Sequence, residues 1–314
     1  ETLATQIDMP VVEASISVNG LDVTTLPGQI GRRLDIPQSL AALTPVAGQM
    51  HDADLQLVIE ETTPGVLDAS PYAEMARRVL SQPLAFTAEG AGPWQIQPTD
   101  LAPMLRFDLV RDEDGTSSYR VRLDADQLAA FLGPLAPEVE RKPANARFYF
   151  DDETRELVLI QPAVIGRTLD VSGSIDHINT RLAAGEYEIP LVFQTQNPPV
   201  KDDATAAQLG IAGLVSREVT YFAGSSTARI QNIKMASGAF HGLLVAPGET
   251  LSMAEVLGDI SLDKGYTEAL IIFGDRTIKG LGGGVCQVST TLFRTVFFGG
   301  YPIVERYPHA YRVS

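Results

Sequence analysis

An internal repeat constrains this chain more than any other feature of its sequence. The segment PGQIGRRLDI at residues 27–36 returns as PAVIGRTLDV at residues 162–171, with Pro, Ile, Gly, Arg, Leu and Asp in the same places at an offset of 135. Further on, LVIEETTPGVLD at residues 57–68 returns as LVFQTQNPPVKD at residues 191–202, at an offset of 134. Two matched stretches in the same order indicate a duplicated folding unit.

Each copy of the repeat predicts a turn, a helix and a returning strand. Gly31 and Gly166 suit a turn that needs an unusual backbone angle. Between the matched blocks, residues 172–185 have apolar side chains at helical spacing, whereas residues 37–48 predict a shorter helix interrupted by Pro45. The LV blocks that follow alternate as strands do.

The rest of the chain predicts a mixture of helices and short strands. Helices are expected at residues 70–82, 124–140, 228–240 and 285–300. Strands are expected at residues 216–223, 268–274, 302–307 and 310–314. Near residue 204 the composition changes from Pro- and Asp-rich to rich in small residues, which indicates a domain boundary there.

The charge distribution excludes whole classes of partner. Residues 1–212 carry 15 basic and 31 acidic side chains, whereas residues 213–314 carry 9 and 8. Nucleic acid and anionic lipid both need a basic surface, so the acidic part argues against either as its partner. The longest apolar runs are far shorter than the ~20 residues of a membrane span, so we expect contact with a membrane only through a segment outside this chain.

Cys286 is the one cysteine, and its surroundings leave two interpretations open. Gly282, Gly283, Gly284 and Val285 lead into it, and an amphipathic helix is predicted to follow. In the first turn of a helix, unpaired amides and the helix dipole favour a thiolate, which would make Cys286 a nucleophile. Alternatively it is a small buried thiol beside a tight turn, as free cysteines often are.

A cysteine nucleophile normally needs a base, and His309 is the candidate. It is the one histidine that follows Cys286 in the same domain. Gln287 and the Cys286 amide could supply hydrogen bonds to an oxyanion. One Cys and one His are too few ligands for zinc, so we expect neither a metal nor another cofactor.

The C-terminal residues resemble the VanW domain. The resemblance rests on GGGVCQVSTTLF and IVERYPHAY, with ARIQNI, LLVAPGETLS and KGYTEALII upstream in the same order, and it covers about residues 213–314. These blocks contain both Cys286 and His309, and we expect substrate to be contacted by residues within them. The residues expected to contact substrate are Gly282, Gly283, Gly284, Ser289, Thr290, Arg229, Asn232, Glu305 and Arg306.

The preceding part is similar to the peptidoglycan-binding domain that often accompanies VanW and L,D-transpeptidase domains. Together the resemblances imply an α+β fold in tandem units: a partial, closing-half unit at 1–67, a complete unit at 68–204, and a VanW domain with a Cys-bearing helix at 205–314. The family pattern continues past the histidine, so we expect the VanW domain to be cut short at Ser314, with a third catalytic residue beyond it.

The family resemblance implies a location and a polymer more than a reaction. Members are bacterial, face the outside of the cell, are usually membrane-anchored and are associated with vancomycin-type glycopeptide resistance. Two functions stay open for this chain. One is an enzyme that acts on peptidoglycan stem peptides by Cys286/His309 acyl transfer or hydrolysis, and the other is a non-catalytic wall-binding or scaffold protein.

Overall fold

Short strands and helices alternate along the chain in the computed structural model, which describes residues 2–47, 54–274 and 276–308. Helices account for 33% of it and strands for 28%, arranged in several small sheets. The predicted α+β fold class is therefore confirmed.

The elements are named here in chain order. The helices are α1 (Ala4–Ile7), α2 (Ile36–Ala47), α3 (Ser70–Val79), α4 (Pro98–Leu101), α5 (Ala125–Leu132), α6 (Ala136–Val139), α7 (Val171–Ala183), α8 (Ala206–Leu209), α9 (Thr227–Phe240), α10 (Met253–Leu257) and α11 (Val285–Phe298), with 3₁₀ turns at Ala102–Met104 and Gly133–Leu135. The strands are β1 (Ser15–Asn19), β2 (Asp22–Leu26), β3 (Gly31–Leu34), β4 (Ile59–Thr62), β5 (Leu84–Ala88), β6 (Ala91–Ile96), β7 (Leu105–Arg111), β8 (Ser117–Leu123), β9 (Arg147–Asp151), β10 (Glu156–Gln161), β11 (Gly166–Leu169), β12 (Glu188–Pro190), β13 (Phe193–Gln196), β14 (Glu268–Phe273) and β15 (Arg276–Leu281).

The chain divides into two compact units. Unit 1 comprises Glu1–Arg141 and Arg167–Thr195, and unit 2 comprises Lys142–Gly166 and Gln196–Ser314. The domain boundaries predicted near residues 67 and 204 stay a prediction.

Unit 1 has its core around a three-stranded sheet. Strand β5 lies between β12, which is parallel to it, and β6, which is antiparallel. Its buried apolar residues come from the sheet, the β7–β8 hairpin and helices α3, α5 and α7, and they include Leu84, Phe86, Ile96, Leu123, Leu128 and Ile178. The helix predicted over 124–140 is broken into α5, a 3₁₀ turn and α6 because Pro134 and Pro137 cannot continue the hydrogen-bond ladder.

The two copies of the repeat begin their helices with the same bond. Asp35 precedes α2 and its carboxylate accepts the amide of Gln38 at 2.9 Å. Asp170, 135 residues later, precedes α7 and accepts the amide of Gly173 at 2.9 Å. An acceptor at this place satisfies one of the unpaired amides of a helix start, which explains why the Asp is kept in both copies.

A buried serine then joins each helix to the returning strand. The Ser39 hydroxyl accepts the amide of Val58 at 3.0 Å, and the Ser174 hydroxyl accepts the amide of Val192 at 2.9 Å. The exposed fraction of Ser39 is 6% and that of Ser174 is 0%. The duplication indicated by the sequence is therefore also a duplication of structure, with β3 paired to β4 and β11 paired to β13.

The repeat also extends in front of the matched sequence blocks. Isolated bridges join the chain before each hairpin to the strand region after it: Met9 to Arg32 and Val12 to Gln29 in the first copy, Arg141 to Arg167 and Ala144 to Val164 in the second. Each copy thus contains a hairpin (β1–β2 or β9–β10), a strand, a capped helix and a returning strand.

Two local expectations about the repeat were wrong. Neither Gly31 nor Gly166, both among the described residues, has a positive φ. Gly31 is instead required by a close approach, because a Cβ there would lie 2.8 Å from the Val11 amide nitrogen. Helix α2 also continues through Pro45 to Ala47, where the sequence predicts an interruption.

Replacing Ser174 with Ala is expected to lower the free energy of unfolding of unit 1 by about 1–3 kcal/mol, because it leaves the partly buried Val192 amide without its acceptor. Trp94 is the single tryptophan and belongs to unit 1, so its fluorescence during urea unfolding reports this change. Ser172→Ala, at an exposed position of the same helix, is the matched control and should change stability by less than about 0.5 kcal/mol. Equal effects of the two variants would contradict the assigned role of Ser174.

Unit 2 is built on α9, α11 and the antiparallel hairpin β14–β15. Helix α9 contacts α10, α11 and β14, and the buried residues Ile233, Ala236, Tyr266 and Ala269 lie in this region. The predicted helices at 228–240 and 285–300 and the strand at 268–274 are confirmed.

Two predicted strands of unit 2 were wrong. Residues 216–223 and 302–307, all within the described part of the chain, form no strand. The first segment is instead tied to α11 through side chains: Thr220 bonds to Thr291, and Glu218 pairs with Arg294 at 2.6 Å. The strand predicted at 310–314 lies outside the described residues. Among the helices that the structure describes, none is both long and apolar enough to cross a bilayer.

Candidate functional site

The Gly282–Gly284 turn is buried against its own unit. A Cβ on Gly283 would lie 2.5 Å from the carbonyl oxygen of Leu270. A Cβ on Gly284 would lie 2.9 Å from the carbonyl oxygen of Arg229, and its φ of 117° is one that side chains disfavour. The glycines therefore allow α9 and β14 to approach the turn closely.

Asn232 ties the glycine turn to the start of β14. Its Nδ2 donates to the carbonyl oxygens of Gly283 and Thr267, both at 2.9 Å, and its Oδ1 accepts the Thr267 amide at 2.8 Å. The side chain is fully buried. The structure thus occupies Asn232 with backbone groups, and its expected contact with substrate stays a prediction.

Cys286 is the second residue of α11 and is exposed. The helix begins at Val285, whose amide donates to the Gly282 carbonyl at 3.0 Å, and the Gln287 amide donates to Gly284 at 2.9 Å. The alternative of a small buried thiol is therefore wrong. A nucleophilic role for the exposed thiol stays a prediction.

Gln287 joins α11 to α9 and to the segment that precedes it. Its Oε1 accepts from Nη2 of Arg229 at 3.3 Å, and its Nε2 donates to the Thr220 hydroxyl at 2.7 Å. Thr220 in turn lies 2.5 Å from the Thr291 hydroxyl, and Nε of Arg229 donates to the Ser225 hydroxyl at 3.2 Å. Only one N–H of the Gln287 amide remains for an oxyanion, because the other is given to Thr220.

Ser289 and Thr290 lie one helical turn after Cys286 and so share its side of α11. The Thr290 hydroxyl donates to the Cys286 carbonyl at 2.9 Å. Thr290 is exposed and Ser289 is partly exposed, which leaves both hydroxyl oxygens able to accept from a ligand on this side.

Glu305 and Arg306 lie in an exposed segment after α11. The Tyr307 hydroxyl donates to the Glu305 carboxylate, and this bond raises the pKa of Tyr307 above its ordinary value. The Arg306 guanidinium lies 5.2 Å from the centre of the Phe293 ring on α11. His309, the expected base, lies outside the described residues.

Several polar side chains that hold this site together have no motif in the sequence that would predict them. Two of them bond to residues more than 30 positions away, namely Thr220 to Thr291 and Thr267 to Ala228. A third, Ser225, accepts from Arg229 at the start of α9. No short motif contains both partners of the long-range pairs. Only the regular placement of Thr291 and Thr295 on α11 hinted at a polar side of the helix.

Comparison with solved structures gives two weak likenesses. The Ldtfm–avibactam carbamoyl enzyme aligns with a TM-score of 0.27 at 13% identity, over 40% of this chain and 46% of that chain. A mutant Enterococcus faecium L,D-transpeptidase aligns with a TM-score of 0.26 at 14% identity, over 38% of this chain and 44% of that chain. Scores this low do not establish a common fold.

Two curated proteins are similar in sequence. The uncharacterized protein YoaR of Bacillus subtilis is 43% identical over 218 residues, which are 68% of this chain and 67% of YoaR. The vancomycin B-type resistance protein VanW of Enterococcus faecalis is 31% identical over 81 residues, which are 26% of this chain and 30% of that protein.

Two family matches agree with these relatives and confirm the resemblance drawn from the motifs. Residues 108–190 match the family described as "Putative peptidoglycan binding domain", and residues 228–314 match the family described as "VanW like protein". Taken with the identity to YoaR, these matches show that the chain belongs to the VanW family and is a cell-wall-related protein.

Proposed function

We propose that this is an extracytoplasmic protein that binds peptidoglycan and uses Cys286 as a nucleophile on its stem peptides. The observation that supports the chemistry is the exposed thiol at the second position of α11, on a helix start fixed by Asn232 and Arg229. A fixed helix start holds the exposed sulfur at one position on the surface, which is the positioning that a nucleophile requires.

The proposed step is an acyl transfer. The Cys286 sulfur attacks the carbonyl carbon of a stem amide and forms a C–S bond, while the thiol proton passes to His309. The C–N bond then breaks, and the leaving amine takes the proton from His309. Water hydrolyses the resulting thioester to a carboxylic acid, or an amine of another stem converts it to a new amide, and either route frees the thiol.

Binding of the polymer is assigned to the parts before residue 205. The support is the match of residues 108–190 to a peptidoglycan-binding family, together with the duplicated unit. Their acidic side chains are compatible with a polymer that bears amines and uncharged sugars. The division at 1–67, 68–204 and 205–314 belongs to this proposal.

We propose two different roles for the residues expected to contact substrate. Ser289 and Thr290 share a side of α11 with Cys286, and Glu305 and Arg306 lie in the exposed segment that leads to His309. Arg229, Asn232 and the three glycines are instead engaged with their own unit, so we assign them to positioning the helix start.

A second candidate is a wall-binding protein without catalysis. One observation favours it. Close packing within unit 2 already explains why the three glycines are needed, and hydrogen bonds to Arg229 and Thr220 already engage most of the Gln287 side-chain amide. In that case Cys286 would be an exposed residue with no part in binding.

The test combines adduct formation with retention on the wall. The full chain is incubated with purified peptidoglycan and with soluble stem-peptide fragments, and its intact mass is measured. We expect a covalent acyl adduct on wild type and none on Cys286→Ala, with both proteins retained on sedimented peptidoglycan. Retention without adduct or released product would favour the non-catalytic function, and failure of both proteins to be retained would contradict wall binding.

A further inference from the structure

A groove in unit 2 lies where the β9–β10 hairpin meets the C-terminal half of α9. The groove has a volume of about 370 Å³ and opens to solvent. It is lined by Arg147, Ile160, Gln161, Lys234, Ser237, Gly238 and His241. None of these residues belongs to the Cys286 site.

One wall of the groove is held in place by backbone contacts. Nη1 of Arg147 donates to the carbonyl oxygens of Ala239 at 2.8 Å and His241 at 3.3 Å. Gly242 follows with a φ of 69°, and a Cβ there would lie 2.8 Å from Cδ1 of Ile160. The hairpin and the end of α9 therefore meet without space for another side chain.

The charge of the groove has one sign. Its lining residues, all in the described part of the chain, include Arg147 and Lys234 but no Asp or Glu. Lys234 forms no ion pair with any residue that the structure describes, whereas Arg294 of the same unit pairs with Glu218 at 2.6 Å. In a chain of net charge −15, a concave surface with only cations attracts an anion.

The shape of the donors favours a carboxylate within a peptide. Nη1 of Arg147 is engaged with carbonyl oxygens, which leaves Nε and Nη2 as a fork suited to a planar carboxylate, and Lys234 adds a point charge. Gln161 and Ser237 can bond to peptide groups, and Ile160 offers an apolar contact.

The geometry points to a binding site for a carboxylate of a cell-wall stem peptide in this groove. The identity of the peptide rests on the proposed wall function, whereas the anion preference does not. The bridges of Met9 in the first copy and Arg141 in the second place the hairpins of the two copies at an offset of 132 residues. Ser15 therefore occupies the position of Arg147 in the first copy, which lacks this part of the site.

The test measures binding of a synthetic stem tetrapeptide with free carboxylates to the full chain by calorimetry. Lys234→Glu is expected to weaken binding by at least about tenfold, because it removes one charge-assisted hydrogen bond and places a like charge beside the ligand carboxylate. Lys279→Glu makes the same charge change at an exposed position outside the groove and should bind as wild type does. Amidating the carboxylates should weaken binding to wild type more than it weakens binding to Lys234→Glu, because the variant has already lost the Lys234 contact and keeps only that of Arg147.

Four outcomes would overturn the assignment: no binding to wild type, equal binding by Lys234→Glu and wild type, equal loss in both lysine variants, or no effect of amidation. Displacement of the peptide by inorganic phosphate at equal concentration would assign the groove to phosphate polymers instead.

The two proposals fail separately. If the peptide does not bind in the groove while the Cys286 adduct still forms, the proposed function stands. If the adduct fails while Lys234 still controls peptide binding, the groove stands.

Discussion

Replacing Asn232 with Ala is expected to destabilise unit 2 by about 4 kcal/mol. The change leaves the Thr267 amide and the carbonyls of Gly283 and Thr267 without their partner, and it opens a cavity where the fully buried Asn232 side chain stood. Because a chain of two units need not unfold in one step, the loss is best measured locally. Amide hydrogen exchange of residues 227–240 and 266–285, read by mass spectrometry, should accelerate by more than about a hundredfold.

Two further variants separate the loss of the Asn232 hydrogen bonds to Thr267 and Gly283 from a general loss of packing. Gln231→Ala removes the neighbouring, exposed amide side chain and should leave exchange of these segments nearly unchanged. Asn232→Asp keeps the acceptor for the Thr267 amide but places a carboxylate oxygen against two carbonyls. Burial there raises the pKa of the introduced carboxyl, so its neutral form favours the fold, and stability should fall as pH rises above about 4. An exchange rate in Asn232→Ala equal to that of wild type would contradict the role assigned to the Asn232 hydrogen bonds.

Much of the fold could be predicted because its signals are local. The repeat pairs Asp35 with Asp170 and Ser39 with Ser174 at one offset, and both pairs make the same bonds in the structure. The start of α11 after a glycine run and its end at Gly299 likewise depend only on neighbours in sequence.

The errors arise where distant residues decide the conformation. Residues 216–223 have the alternation of a strand, but Thr220 and Glu218 bond to side chains of α11 rather than to a neighbouring strand. Gly31 was assigned a turn angle, whereas it is needed because Val11 passes close to it. Neither contact has a signature within a short window of sequence.

The candidate site was only partly predictable for the same reason. The motif around Cys286 predicted a helix start, and the structure has one. It did not indicate that Asn232 and Arg229 are engaged with the turn and with Gln287, because those bonds join segments more than 50 residues apart. The groove at Lys234 has no motif at all, since its walls come from the repeat and from α9.

The central claim is that the thiol at the start of α11 is both exposed and activated, and iodoacetamide tests this most directly. The rate of Cys286 alkylation at pH 7 is compared between the folded chain and the chain unfolded in urea, with Cys286→Ala as the blank. Under the proposed function, in which His309 accepts the thiol proton, alkylation should be about tenfold faster in the folded chain than in the unfolded chain, and the advantage should be smaller in His309→Asn. Alkylation that is slower in the folded chain, or that occurs only after unfolding, would contradict the claim.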